Sequence, residues 1–566
     1  MLFTTGIQNS TLSYNTYKKP DKEFSRSMSS LKPLDNDVCC FSGIKNIKTN
    51  NVSFGRMSPK QTITPHDNPY VLIHGTIVKE DSMFSLRDFL QPMVRNLDLQ
   101  FYPNITDGKK MEDCGQDVSR NVNRVRINTT KDKLKELKNI KDNPELLKIH
   151  FGINQDLCRN KCDTDQIVSL LPDIISEIED ITKRGKKDLQ ESFSTRVKAV
   201  ELKLAEQIKK TDFGNWDKAN KDKLCDKAAA AIIDGIAPKA VLVGLSMGGL
   251  VAHIMALNPK EVAFDKKGQL KDQSKFTYDA ANGIAVYTSL GAPVENGTDM
   301  DSAGMREARF DWCDETMLRP IEKFWGGLLS LCPPWLIGKA IFKYNALDFS
   351  LKNDIEPLSN PAHLKEKPAL LQMTRNSDFL NEYVIGKHAP AGVSNLSYYH
   401  PADKFMDIDC VKLNENHPNN HNIKVNFDIT DEVVNEARSN LSVGEAMIAT
   451  MQMLSGQGIN LKKGQEMIKS LYAHEIVPLQ PQEFIKSFEE NVLNNPEQAI
   501  RMLEKSNSDT LRYQCLDVIH KHVQQNPAYL SKNPELLEKI KEVSAENMPF
   551  ITSPSYLADH ILGISK

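Results

Sequence analysis

The sequence predicts an α/β fold: a mostly parallel sheet with helices on both faces. Three observations carry the prediction. Short β-branched apolar runs recur at "YVLI" (Tyr70–Ile73), "AVLVG" (Ala240–Gly244) and "IAVYTSL" (Ile284–Leu290). Helical patterns separate these runs through about residue 440. A Gly-Ser-Gly turn joins the second run directly to a helix, "GLVAHIMAL". Alternation of this kind builds a sheet whose helices cover it from both sides.

The elements follow in order. Residues 1–66 are rich in Ser, Asn, Thr and Lys without periodicity, so a polar, loosely ordered arm is expected. Its start, "MLFTTGIQNSTLSYNTYKKPDKEF", lacks the basic-then-apolar order of a secretory signal. "NPYVLIHGTIV" (Asn68–Val78) reads as a buried strand, "FSLRDFLQPMVRNL" as a helix kinked at Pro92, and "LDLQFYP" (Leu97–Pro103) as a strand ended by proline. Residues 104–222 break the rhythm with charged helical segments such as "DQIVSLLPDIISEIEDITK", a helical insertion. "KAAAAIIDGIA" (Lys227–Ala237) is a helix stopped before Pro238. A strand Ala240–Gly244, a helix to Leu257, and a strand within "GIAVYTSLGAPVEN" (Gly283–Asn296) come next. "GVSNLSYYHPADKF" (Gly392–Phe405) and "DCVKLNENH" (Asp409–His417) each hold a plausible strand. From Asp431 the chain reads as helical, with segments opening at Pro, Asp or Ser. The expected organisation is an arm (1–66), an α/β domain (67–430) with the 104–222 insertion and an apolar cap at 300–375, and a C-terminal helical domain (431–566).

Bulk properties narrow the function. A chain of 566 residues suits about two to four domains at roughly 100–200 residues each. Forty per cent apolar and 26% charged residues fit a soluble protein with a sizeable core. The net charge of −3 supplies no basic field for nucleic acid. Ten cysteines are sparse, and the pairs Cys39–Cys40 and Cys158–Cys162 have no matching second pair for zinc. Free thiols in a reducing compartment are expected. The nearest approach to a membrane span is "FWGGLLSLCPPWLIGKAIF" (Phe324–Phe342), which Pro333, Pro334 and Lys339 break. A cytoplasmic location in the producing cell is expected, and the Lys/Asn-rich composition would also suit an effector delivered into a host.

Chemistry concentrates at Gly244-Leu245-Ser246-Met247-Gly248, a G-x-S-x-G pattern. A serine between a strand end and a helix start presents its Oγ from a strained turn, and Gly244 and Gly248 remove the Cβ atoms that would clash. The helix N-terminus then offers the Met247 N–H to a developing oxyanion. His74-Gly75-Thr76 ends the first strand, where a second donor belongs: the N–H of Thr76 or, second choice, Ile77. His74 itself is expected to shape that loop.

With these residues the chain resembles an α/β-hydrolase of the lipase/esterase type. "VLIHGT", "LDLQFYP", "VLVGLSMGGLVA" and "VYTSLGAPVEN" occur in the order that family uses, and "NSDFLNEY" (Asn376–Tyr383) is similar to the helix preceding its acid-bearing strand. The resemblance covers roughly residues 68–440. It implies a Ser-acid-His order, the acid after a strand and the histidine beyond the last strand. Asp403 is the expected acid, with Asp407 and Asp409 nearby. His421 is the expected base and His417 the alternative. His400, at a strand end before the acid, and His253, on the helix after the serine, are set aside as structural. His474, His520, His522 and His560 fall in the C-terminal helices, beyond the expected domain.

The implied function is cleavage of lipid or acyl esters by Ser246, His421 and Asp403 through an acyl-enzyme, without metal or organic cofactor. Trp325 and Trp335 in the apolar cap favour an acyl pocket or a peripheral membrane contact through Phe324–Phe342. Two alternatives stand: an amide or thioester hydrolase on the same triad, and a vestigial hydrolase domain whose C-terminal helices bind a protein partner.

Overall fold

The structure, a computed structural model, describes residues 68–562 except 76–82, 95, 101–108, 154–163, 212–217, 264–276, 298–367, 391, 405, 407, 434–468, 471, 507 and 546–560. The N-terminal arm, Thr76, Ile77, Asp407, His560 and the cap segment Phe324–Phe342 with Trp325 and Trp335 lie outside the described residues.

Six strands form the sheet: β1 (Tyr70–Ile73), β2 (Leu97–Gln100), β3 (Ala240–Leu245), β4 (Ile284–Leu290), β5 (Ser394–Tyr399) and β6 (Asn420–Lys424). The helices are α1 (Phe84–Leu90), α2 (Met111–Leu137), α3 (Pro144–Phe151), α4 (Thr164–Thr182), α5 (Lys186–Lys209), α6 (Lys218–Ile236), α7 (Met247–Leu257), α8 (Pro368–Gln372), α9 (Asp378–Tyr383), α10 (Ile408–Val411), α11 (Ile476–Leu479), α12 (Gln482–Asn494), α13 (Pro496–Glu504), α14 (Asp509–Gln525), α15 (Tyr529–Lys532) and α16 (Pro534–Ala545). Pro92 ends α1, and the chain continues as a 3-10 turn over Gln91–Met93.

The strand order is β2-β1-β3-β4-β5-β6, and every neighbouring pair is parallel. All six C-terminal ends therefore share one edge of the sheet, and loops leaving that edge can meet. The expected α/β class is what the chain forms. Both faces are covered, which is why β1, β3 and β4 read as unbroken apolar runs.

Successive strand residues feed opposite layers. Val71, Ile73 and Leu242 pack with α7 and with Met111, Cys114, Val118 and Val122 of α2. Leu72, Val243, Leu396 and Ile423 pack on the other face with Leu86 and Leu90, and with Phe484, Phe488, Met502, Leu516 and Ile519 of the C-terminal helices. The described C-terminal helices thus complete the core of the sheet itself. An amphipathic pattern shows that a helix has an apolar face, but not what that face meets.

The insertion has a core of its own, where Ile127 and Leu137 of α2 meet Leu171, Ile178, Phe193, Leu204 and Ile232. Buried Arg126 ties it to the sheet. Its guanidinium donates to Pro238 O at 3.0 Å, Ala237 O at 3.1 Å and Ser194 Oγ at 2.5 Å, capping the carbonyls that end α6. Asp279, in the 3-10 turn that opens β4, accepts from the N–H groups of Ser194 and Thr195 and from Asn123 Nδ2.

A second correction concerns the last strand. Asp409–His417 is not a strand: it forms α10 and a turn, and the strand is β6, Asn420–Lys424. Asn422 faces that turn and pins it, its side chain accepting from Leu413 N and donating to Leu413 O. A half-polar strand at the sheet edge carries a weak apolar signal. Among the described residues no helix is long and apolar enough to cross a membrane.

Candidate functional site

Ser246 stands between β3 and α7 with φ 51° and ψ −128°. A non-glycine residue held there costs on the order of 1–3 kcal/mol, which the surroundings must offset. They do so by close packing. A Cβ on Gly248 would lie 2.3 Å from His74 O, and one on Gly244 would lie 2.5 Å from Gly249 Cα. The glycines thus let α7 start against the ends of β1 and β3. The Ser246 N–H donates to Leu290 O at 2.9 Å, which fixes the turn to the end of β4. The Ser246 side chain makes no capping bond to α7, although serine is a favoured cap. Met247 opens α7, so its peptide lies at the positive end of an 11-residue helix. His74 follows β1 and donates from Nδ1 to Gly75 O at 2.8 Å, which shapes that loop.

Asp403 follows β5 at the same sheet edge. Its N–H donates to His400 O, and Oδ1 accepts from Met406 N at 3.2 Å. Oδ2 meets His474 Nδ1 at 2.9 Å, with both side chains at least 95% buried. Lys404 N donates to Ser470 Oγ at 2.7 Å, a second link between the Asp403 loop and the segment bearing His474. The His474 ring rests on Gly291, the residue after β4: a Cβ there would stand 2.9 Å from Nδ1. The strained serine, the acid and this histidine are thus gathered at the C-terminal ends of β3, β5 and β4.

The two histidines expected as base stand elsewhere. His421 lies inside β6, paired in register with Leu396, and is 1% exposed. Among the described residues neither of its ring nitrogens has a hydrogen-bond partner. Burial, helped by the positive Arg501, pushes its pKa down to about 3. His417 precedes β6, at the opposite edge of the sheet from Ser246, and packs against the ring of His388 at 4.5 Å. Neither is the partner of Asp403; His474 is. His474 lies beyond β6, the last strand of the sheet.

The remaining candidates are accounted for locally. His400 donates from Nε2 to Phe427 O and accepts at Nδ1 from Ala402 N, which ties down the loop ahead of Asp403. His253 is buried on α7 against Tyr287, and burial lowers its pKa to about 3. Asp409 is exposed in the first turn of α10. His520 and His522 lie on α14, where His522 packs edge-on to Tyr529. Sequence reasoning missed His474 and Gly291. The signal for the first was the alternation in "NHNIKVNF", which marks a strand and so moves the search for the base downstream. Among the described residues no cluster of His, Cys, Asp and Glu could hold a metal ion. No family model matches the chain, and no curated protein matches it either.

Proposed function

We propose that the chain is a serine hydrolase of the α/β-hydrolase type that cleaves carboxylic esters through an acyl-enzyme. Ser246 Oγ attacks the ester carbonyl. His474 accepts the serine proton on Nε2 and returns it to the leaving alcohol. Asp403, bonded to Nδ1, fixes the tautomer that leaves Nε2 basic and stabilises the imidazolium. The Met247 N–H, with that of Thr76 expected from the sequence, receives the oxyanion. Water then enters by the same base and releases the acid.

One observation carries the reading: a buried Asp403–His474 pair shares a sheet edge with a serine held at φ 51°. The order Ser246, Asp403, His474 is also the order of the α/β-hydrolases. An acyl or lipid ester remains the favoured substrate on the strength of the apolar cap sequence.

A fluorophosphonate probe tests the nucleophile. The wild type is expected to be labelled and Ser246→Ala not, and p-nitrophenyl esters of increasing chain length then read the acyl preference. Equal labelling of both proteins would sink the proposal.

A further inference from the structure

Gly291 sits where the three parts of the proposed triad converge. It follows β4, whose last carbonyl, Leu290 O, receives the Ser246 N–H at 2.9 Å. Its own N–H donates to Tyr398 O at 3.1 Å, on the strand that leads to Asp403. Its missing side chain is the space that His474 occupies. A Cβ at Gly291 would stand 2.9 Å from Nδ1, 3.1 Å from Cε1 and 3.2 Å from the carbonyl oxygen of His474. Real Cβ atoms are almost never found closer than about 3.0 Å, so the imidazole would have to move. Nδ1 is the atom that binds Asp403. Gly291 also has φ +54°, which glycine adopts without strain.

We infer that Gly291 is a positioning residue for the general base: its bare Cα is the seat that holds the His474 imidazole between Asp403 and Ser246. The inference rests on the proposed role of His474 and adds what sets its position. The seat belongs to β4, the same strand that anchors the Ser246 turn. Nucleophile and base are therefore referenced to one rigid element, as accurate catalytic geometry requires.

The test is Gly291→Ala in the full chain, with Gly386→Ala beside it. Gly386 has φ +73° and nothing within 4 Å of a Cβ, so its alanine reports the cost of the backbone angle alone. With a p-nitrophenyl ester, Gly291→Ala is expected to lower kcat by about 10²-fold, the scale of a misplacement near 1 Å. KM should stay within about twofold. Gly386→Ala should keep the wild-type kcat and KM. A wild-type kcat in Gly291→Ala overturns the inference. If His474→Ala itself keeps turnover, the parent assignment fails instead. Folding supplies a second measurement, a double-mutant cycle of Gly291→Ala with His474→Ala read by urea midpoint. Gly291→Ala should shift the midpoint less in the His474→Ala background, where the ring is gone. Equal shifts, or failure to fold in both backgrounds, would mean that the glycine serves the backbone alone.

Discussion

Ser246 and His421 show two ways a polar residue is held under cover in this chain. Ser246 is fixed in a strained turn that three neighbouring strand ends brace, and its hydroxyl makes no capping bond. His421 is sealed under the C-terminal helices with no proton acceptor or donor at either nitrogen among the described residues. If His474 is the base, His474→Ala lowers kcat by at least about 10³-fold while His421→Leu keeps it, as ester turnover will read. His421 should instead govern stability against pH. Its folded pKa, about 3, lies below the ordinary histidine value of 6.5, so the unfolded chain binds the proton first. The stabilisation is complete above about pH 6.5 and is lost as the pH falls toward the folded value, at up to about 1.4 kcal/mol per pH unit. Urea midpoints from pH 7 to pH 4.5 should fall less steeply for His421→Leu than for the wild type. Parallel curves would show that the buried imidazole is not a linked group.

Elements decide how much of this was legible. β1, β3, β4 and β5 carry β-branched or aromatic runs bounded by turns, and each appears where its pattern lies. The elbow was legible because its glycines answer a steric demand that can be stated without coordinates. Gly248→Ala therefore makes a sharp prediction. The new Cβ would meet His74 O at 2.3 Å and Ile73 O at 2.7 Å, both backbone atoms that cannot swing aside. A loss of about 1–3 kcal/mol is expected in urea unfolding, the usual cost of overpacking. A wild-type midpoint would mean that α7 does not press on β1. β6 was not legible in the same way. Ile423 packs inward, but Asn420 and Asn422 spend their side chains on Asn414 and Leu413, so the segment reads as loop. That one displaced strand is why His421 was expected beyond the sheet while His474 was set aside. The place of Asp403, just after a strand, was legible because it depended only on β5.

At the scale of the whole molecule, the sheet and the described C-terminal helices share one core, and the proposed site draws on both. Asp403 hangs from β5, while His474 comes from beyond β6, in the segment that leads into the helical layer. That layer supplies Phe484, Phe488, Met502 and Leu516 to the face formed by Leu72, Val243, Leu396 and Ile423. Tyr398 OH donates to Phe484 O at 2.8 Å, and Gln498 Nε2 donates to Asn422 O at 2.6 Å, so polar links as well as apolar packing cross the seam. A chain cut after residue 430 would keep only α1 on that face of the sheet and leave the rest of it in water, and exposed apolar area is worth roughly 25 cal/mol per Å². It should be recovered as aggregate or bind ANS strongly, and it should not turn over p-nitrophenyl esters. A cooperative thermal transition with wild-type turnover in the shortened chain would separate the two parts and return the base to the first 430 residues. Adding back residues 431–566 as a second polypeptide distinguishes the losses: recovered turnover that disappears with His474→Ala in the added piece would trace the activity to the histidine that the C-terminal part delivers.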